Sequence, residues 1–248
     1  SGRVFKEKHF LDAAEKAADF ILKNLRRKDG RLLARYRNGA VEHLGYLDDY
    51  AFLIWGLIEL YQACFDERYI NTAVELVEDM IRLFYDREHK GFFLYGIDGE
   101  KLLSRPKELY DGAIPSGNSV AAMVLLKLSM LMDKSEYADI AHEMFQSFGG
   151  KVARYPAGYT HLLSAYMFAV KESLKVVIAG KKEAKETTEM LEIINDKFLP
   201  NVAISLKKNG DNNYMILDEK TTAYICKGHS CSKPINDIDE FSKAILHS

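Results

Sequence analysis

Apolar residues recur at helical spacing through the first two thirds of this chain, and the period changes in the last third. From Val4 to Leu25, Phe10, Ala13, Ala14, Ala17, Phe20, Ile21 and Leu25 fall three or four apart, while Glu7, Asp12, Lys16, Asp19 and Lys23 take the other side. That spacing predicts a helix with one wet face. Asp29-Gly30 ends it, and Arg31 to Tyr36 with Ala40 to His43 read as a hairpin around Asn38-Gly39. A helix from about Leu47 to Cys64 follows, apolar almost all round, which requires cover on most sides. The cycle then repeats: an amphipathic helix from Glu67 to Tyr85, a second hairpin from Gly91 to Tyr95 and Lys101 to Ser104 around Asp98-Gly99, and a second apolar helix from Val120 to Met132. A third, shorter round has an amphipathic helix from Ser135 to Phe148, a link from Gly149 to Pro156 and an apolar helix from about Ala157 to Val170.

Three rounds of wet helix, rim loop and buried helix form a repeat in pattern, though not in letters. They predict two concentric layers with every outer-to-inner loop at one end. That end gathers Tyr46, Asp48, Asp49, Tyr50, Tyr95, Asp111, Ser116, Asn118, Tyr155, Tyr159 and His161. The expected fold is mainly α: a partial (α/α) toroid of about three helical hairpins over residues 1–170, and a small α/β subdomain over 171–248. In the latter, Leu174 to Ala179, Val202 to Leu206, Met215 to Leu217 and Thr222 to Cys226 read as strands, and Glu183 to Phe198 and Ile238 to Leu246 as helices.

The stretch Asp111-Gly112-Ala113-Ile114-Pro115-Ser116-Gly117-Asn118-Ser119 delivers polar groups to the start of a buried helix. Pro115 disfavours helix at Ile114, and Ser116 or Asn118 suits an N-cap. Free N–H groups flanked by these side chains suit a polyhydroxylated or anionic ligand, although a well-capped core helix would look the same.

At 248 residues and 48% hydrophobic content the chain is long enough to bury a real core. A net charge of −2 argues against nucleic-acid or membrane-surface partners. The basic cluster from Lys23 to Arg37, Arg31 included, reads as a solvated face. No stretch resembles a membrane span or signal peptide, which predicts a cytoplasmic protein. Ser1-Gly2 reads as a vector-derived remnant, and the immediate start of helix suggests a piece of something longer. Three cysteines make no disulfide framework.

Leu47-Asp48-Asp49-Tyr50-Ala51-Phe52-Leu53, the Asp111 to Ser119 stretch, and Ala223-Tyr224-Ile225-Cys226 through Cys231-Ser232-Lys233-Pro234 occur in an order that resembles the C-terminal part of the YyaL-type, thioredoxin-domain-containing proteins related to spermatogenesis-associated protein. The resemblance implies an N-terminal thioredoxin-like domain outside this sequence. It also implies a toroid similar to N-acylglucosamine 2-epimerases and six-hairpin glycosidases. It implies no established reaction. Relatives of the epimerase kind place acid/base histidines on inner helices, where this chain offers His161, with His43 in a rim loop.

Paired carboxylates at a funnel mouth are what glycoside hydrolysis requires, and Asp49 and Asp111 are the candidates. Aspartates at a first turn also serve as caps, which competes with that reading. With His161 they form the candidate catalytic set. Tyr46, Tyr50, Tyr95 and Tyr159 are candidate stacking platforms, and Ser116 and Asn118 candidate hydroxyl-orienting groups. Cys226, His229 and Cys231, with His247, approach zinc-ligand spacing, but packed thiols or a reversible disulfide fit better, so no metal and no cofactor are expected. The expected partners are a sugar ligand, the parent's thioredoxin-like domain, or a second copy of the chain. The reading of a different class is a noncatalytic scaffold whose groove holds a peptide or partner protein.

Overall fold

The computed structural model describes residues 1–100, 103–171, 173–228 and 230–246, and the chain divides into two compact units. Lys8–Met167 forms one, and Ser1–Glu7 with Phe168–Ser248 the other. Among the described residues helix is the main element, and the strands form two small sheets.

The first expected helix is two, α1 (Gly2–Phe5) and α2 (Lys8–Asn24), because Lys6 adopts a left-handed φ of 55° between them. A hairpin of β1 (Leu33–Arg37) and β2 (Ala40–Leu44) follows, with Arg37 opposite Ala40 and both Asn38 and Gly39 at positive φ. This is the primed turn that matches strand twist. Next come α3 (Leu47–Cys64), α4 (Glu67–Phe84), α5 (Gly117–Met132), α6 (Ser135–Arg154) and α7 (Thr160–Val170), the last entered through a 3-10 turn at Pro156–Gly158.

The alternation of wet and buried helices holds. α3 packs on α4 and α5, and α5 on α6. Ala51, Ile54, Leu57 and Ile58 of α3 and Val120, Ala121, Val124, Leu125 and Leu128 of α5 are fully enclosed. α4 buries Ile70, Ala73, Val77, Met80 and Phe84 and turns its charges outward. Two helices break the pattern. α2 buries only Ala18, leaving Phe10 38% and Phe20 44% exposed, and α7 leaves Tyr166 and Met167 about half exposed.

The second expected hairpin is absent among the described residues, and its Lys101 and Leu102 lie outside them. The backbone of Phe92 to Leu94 is satisfied elsewhere. Phe92 N–H donates to Asn118 Oδ1, Phe93 N–H to the Phe84 carbonyl and Leu94 N–H to the Pro106 carbonyl. The expected break at Gly149-Gly150 is also absent, since α6 runs on to Arg154 with Val152 buried on its last turn.

In the other unit, α1 is followed in space by β3 (Leu174–Ala179), α8 (Lys185–Asn195), β4 (Val202–Lys207), β5 (Thr222–Lys227), β6 (Ser230–Cys231) and α9 (Ile238–Leu246). The sheet order is β4-β3-β5-β6, with β3 parallel to β4 and antiparallel to β5. All six residues of β3 are buried, as expected for a strand covered on both faces. Val177, Ala179, Tyr224 and Cys226 pack under Tyr214 and Ile216. The strand expected at Met215–Leu217 is reduced to a single bridge between Leu217 and Lys220.

Candidate functional site

The organising stretch ties helix starts together. Ser116 is the N-cap of α5, its Oγ accepting from Ser119 N–H and donating to the Leu109 carbonyl. Asp111 bridges two helices: one carboxylate oxygen accepts from Ser116 N–H at 2.9 Å, and the other from His161 N–H at 2.8 Å and Leu162 N–H at 3.4 Å. Its charge therefore answers the positive end of α7. Asn118 is not the cap. It is wholly buried inside α5, accepting from Phe92 N–H and donating both amide hydrogens, to the carbonyls of Phe92 at 2.9 Å and Glu108 at 2.7 Å. Both donors are thus committed within the protein.

The Asp48–Asp49 pair opens α3. Asp49 accepts from Tyr46 N–H at 2.7 Å, as a cap does. Burial pushes its carboxyl above the usual range, against the opposing pull of Tyr46 N–H and Arg31. Burial raises Asp48 too, the charges of Glu108 and Asp49 add to the rise, and a hydrogen bond from Gly117 N–H opposes it. A Cβ at Gly117 would run into the Asp48 carboxylate and the Leu47 side chain, so the close approach of α3 to α5 depends on that glycine. The pair lines one side of a groove of about 570 Å³ between α2, β1 and α3, whose other walls are apolar, Ala14, Ile21, Leu33, Phe52, Leu57 and Ile114 among them.

A second cluster, not foreseen from the sequence except for His161, draws its side chains from the apolar helices α3, α5 and α7. The rings of Trp55 on α3 and His161 on α7 sit 5.1 Å apart at 37°. Lys127 on α5 pairs with Glu59 on α3 at 2.7 Å, the lysine side chain 14% exposed. Burial holds His161 below its ordinary value and the Lys127 charge pushes the same way, while Asp111 opposes both. His161 Nε2 is buried without a hydrogen-bond partner. A buried orphan of this kind costs about 1–3 kcal/mol, which makes it conspicuous. The one sequence signal for the cluster was Glu59 and Lys127 standing inside otherwise apolar runs.

The expected tyrosines are dispersed. Tyr50 is fully buried, its hydroxyl accepting from Leu32 N–H at 3.0 Å and from Arg31 at 3.3 Å. Tyr159 is buried against Tyr110. Tyr46 and Tyr95 meet edge to face at 5.3 Å, with Tyr46 exposed. Arg31 corrects the reading of the basic cluster as a solvated face: it is 4% exposed, paired with Asp98 at 2.7 Å and bonded to the Leu32 and Gly45 carbonyls.

Cys226 and Cys231 form a disulfide between β5 and β6. His229 and His247, the other residues of the zinc reading, lie outside the described residues. Among the described residues no three His, Cys, Asp or Glu side chains converge as metal ligands, and no helix is long and apolar enough to cross a membrane.

No family model matches the sequence. The chain is 29% identical to spermatogenesis-associated protein 20 of Homo sapiens over 269 aligned positions, covering 100% of this chain and 34% of that protein. It is 30% identical to spermatogenesis-associated protein 20 of Rattus norvegicus, covering 82% of this chain and 27% of the relative. An uncharacterized protein of Caenorhabditis elegans is 29% identical over 96% of this chain and 34% of its own length. The chain thus spans about a third of the length of the curated relatives it matches.

Proposed function

We propose, from similarity that supports the spermatogenesis-associated family, that residues 8–167 are part of an (α/α) toroid within a larger protein and bind a carbohydrate on the face shared by α3, α5 and α7. The observation that carries this reading is the convergence of Trp55, Glu59, Lys127 and His161 from three successive apolar helices. An indole face stacks on a sugar ring, and a charged pair beside it donates to and accepts from hydroxyls. His161, held neutral near pH 7 by burial, is the acid/base candidate. Asp48 and Asp49, whose carboxyls are raised by burial, are proton donors and acceptors at the adjacent mouth. In this reading Asp111 positions His161 through its backbone, and Asn118, Ser116 and Tyr50 hold the frame.

A second reading, a noncatalytic scaffold, is favoured by the groove between α2 and α3, whose lining is apolar except for Asp48 and Asp49 and fits the apolar face of a helix. The parent's remaining chain, including a thioredoxin-like domain, is the partner it implies.

A thermal-shift screen of mono- and disaccharides separates the two. A sugar present at a hundred times its Kd stabilises the folded state by about 2.7 kcal/mol, which raises the melting temperature measurably. If no sugar moves the transition and the remainder of the parent binds instead, the carbohydrate reading fails.

A further inference from the structure

The groove between α2, β1 and α3 stays open where helix packing would ordinarily close it. Ala17 on α2 and Gly56 on α3 are exposed, and Ile21, Leu25, Phe52 and Leu53 are half-buried along its walls. A glycine inside a helix often lets a neighbour come close, as Gly117 does for α3 and α5. Gly56 does not: a Cβ built there would meet no atom of the described residues within 4 Å. Glycine weakens a helix interior, so its place in the wall of α3 is explained by the room it leaves and not by packing. The volume of about 570 Å³ lies in the range of sites for small ligands.

The charged side chains in the lining are Asp48 and Asp49. Backbone N–H groups of Gly117 and Tyr46 donate to them, one to each. Among the described residues neither carboxylate forms an ion pair: Arg31, whose charge acts on Asp49, is bonded to Asp98, and the charges acting on Asp48 are those of Glu108 and Asp49. Burial raises both carboxyls. Covering them further with a neutral or anionic ligand would add to that penalty, whereas a cation offsets it.

We propose that this groove binds a small cationic amphiphile, an alkylammonium whose chain packs on the apolar walls and whose head is held by Asp48 and Asp49. A primary ammonium has three donors, enough to serve both carboxylates. The match of charge selects the head, and the apolar walls supply the contact for the chain. This ligand is independent of the sugar proposed beside Trp55 and His161, and neither proposal requires the other.

The test is calorimetric titration of the whole chain at pH 7 with octylammonium chloride, and with octanol and octanoate as probes of equal chain length. Octylammonium should bind about tenfold more tightly than octanol, and octanoate should bind most weakly. Asp48→Asn, which removes charge without volume, should weaken octylammonium by about three- to fivefold and leave octanol unchanged. Gly56→Leu places a side chain in the open groove: it should raise the melting temperature and weaken octylammonium by about tenfold or more. Circular dichroism identifies a Gly56→Leu chain that fails to fold, in which case the three head groups and Asp48→Asn decide. Octanol binding as tightly as octylammonium overturns the proposal and leaves an apolar face suited to a partner helix. Octylammonium binding unchanged in folded Gly56→Leu, or no binding of any probe up to about 3 mM, overturns it as well.

Discussion

Single side chains in the organising stretch are structural to a degree their letters did not reveal. A cap at Asn118 would tolerate Ser or Asp, but the position lies inside α5, where its amide is fully used by Phe92 and Glu108. Asn118→Ala removes the partner of two buried backbone groups of Phe92 and of the part-buried Glu108 carbonyl, and is expected to cost about 2–4 kcal/mol. Asn118→Asp should also destabilise, because it aims a carboxylate at two carbonyl oxygens. Chemical denaturation measures both. Asp48 behaves in the opposite sense. Its folded-state carboxyl is raised, so the folded chain binds that proton more tightly than the unfolded one, and stability falls as pH climbs above the ordinary carboxylate value. Asp48→Asn should therefore raise the melting temperature at pH 7, with the gain fading as pH drops below about 4. A loss of stability at pH 7 would mean the charge supports the fold. Arg31 shows why such roles escape a sequence reading: its partner Asp98 is distant along the chain, and nothing in the local run of basic residues separates the one buried guanidinium from its solvated neighbours.

At the scale of elements, legibility followed periodicity. α3, α4, α5, β3 and α9 begin and end within a few residues of where their patterns placed them, because long apolar periodicity leaves few alternatives. Misreadings fell where a tertiary contact outbid a local signal. Gly149-Gly150 stays helical because Val152 is buried beyond it, and Gly91 to Tyr95 forms no strand because Asn118 and Phe84 take its backbone bonds. α2 and α7 carry helical patterns without the full cover those patterns require, leaving Phe10 38% and Met167 48% exposed. Exposed apolar helix faces promote association. The chain should self-associate at micromolar concentration by light scattering, and Phe10→Ser with Met167→Ser should shift it toward monomer with little change in melting temperature. A monodisperse unaltered monomer, insensitive to salt, would contradict this.

At the scale of the molecule, the alternation of wet and buried helices was readable, and so was the place of Asp48 and Asp49 in the first turn of α3 and of His161 at the start of α7. The cluster around His161 was not, because Trp55 and Lys127 come near it only once the chain is folded. The chain carries its own probe of that cluster, since Trp55 is the sole tryptophan. The most direct measurement is a titration of Trp55 fluorescence with mono- and disaccharides up to about 10 mM, a range that reveals even weak sugar binding. Carbohydrate binding on this face predicts a saturable change in Trp55 emission with at least one sugar, abolished by Lys127→Met in a variant that remains folded. Emission unchanged by every sugar, or a change that survives Lys127→Met undiminished, would contradict it.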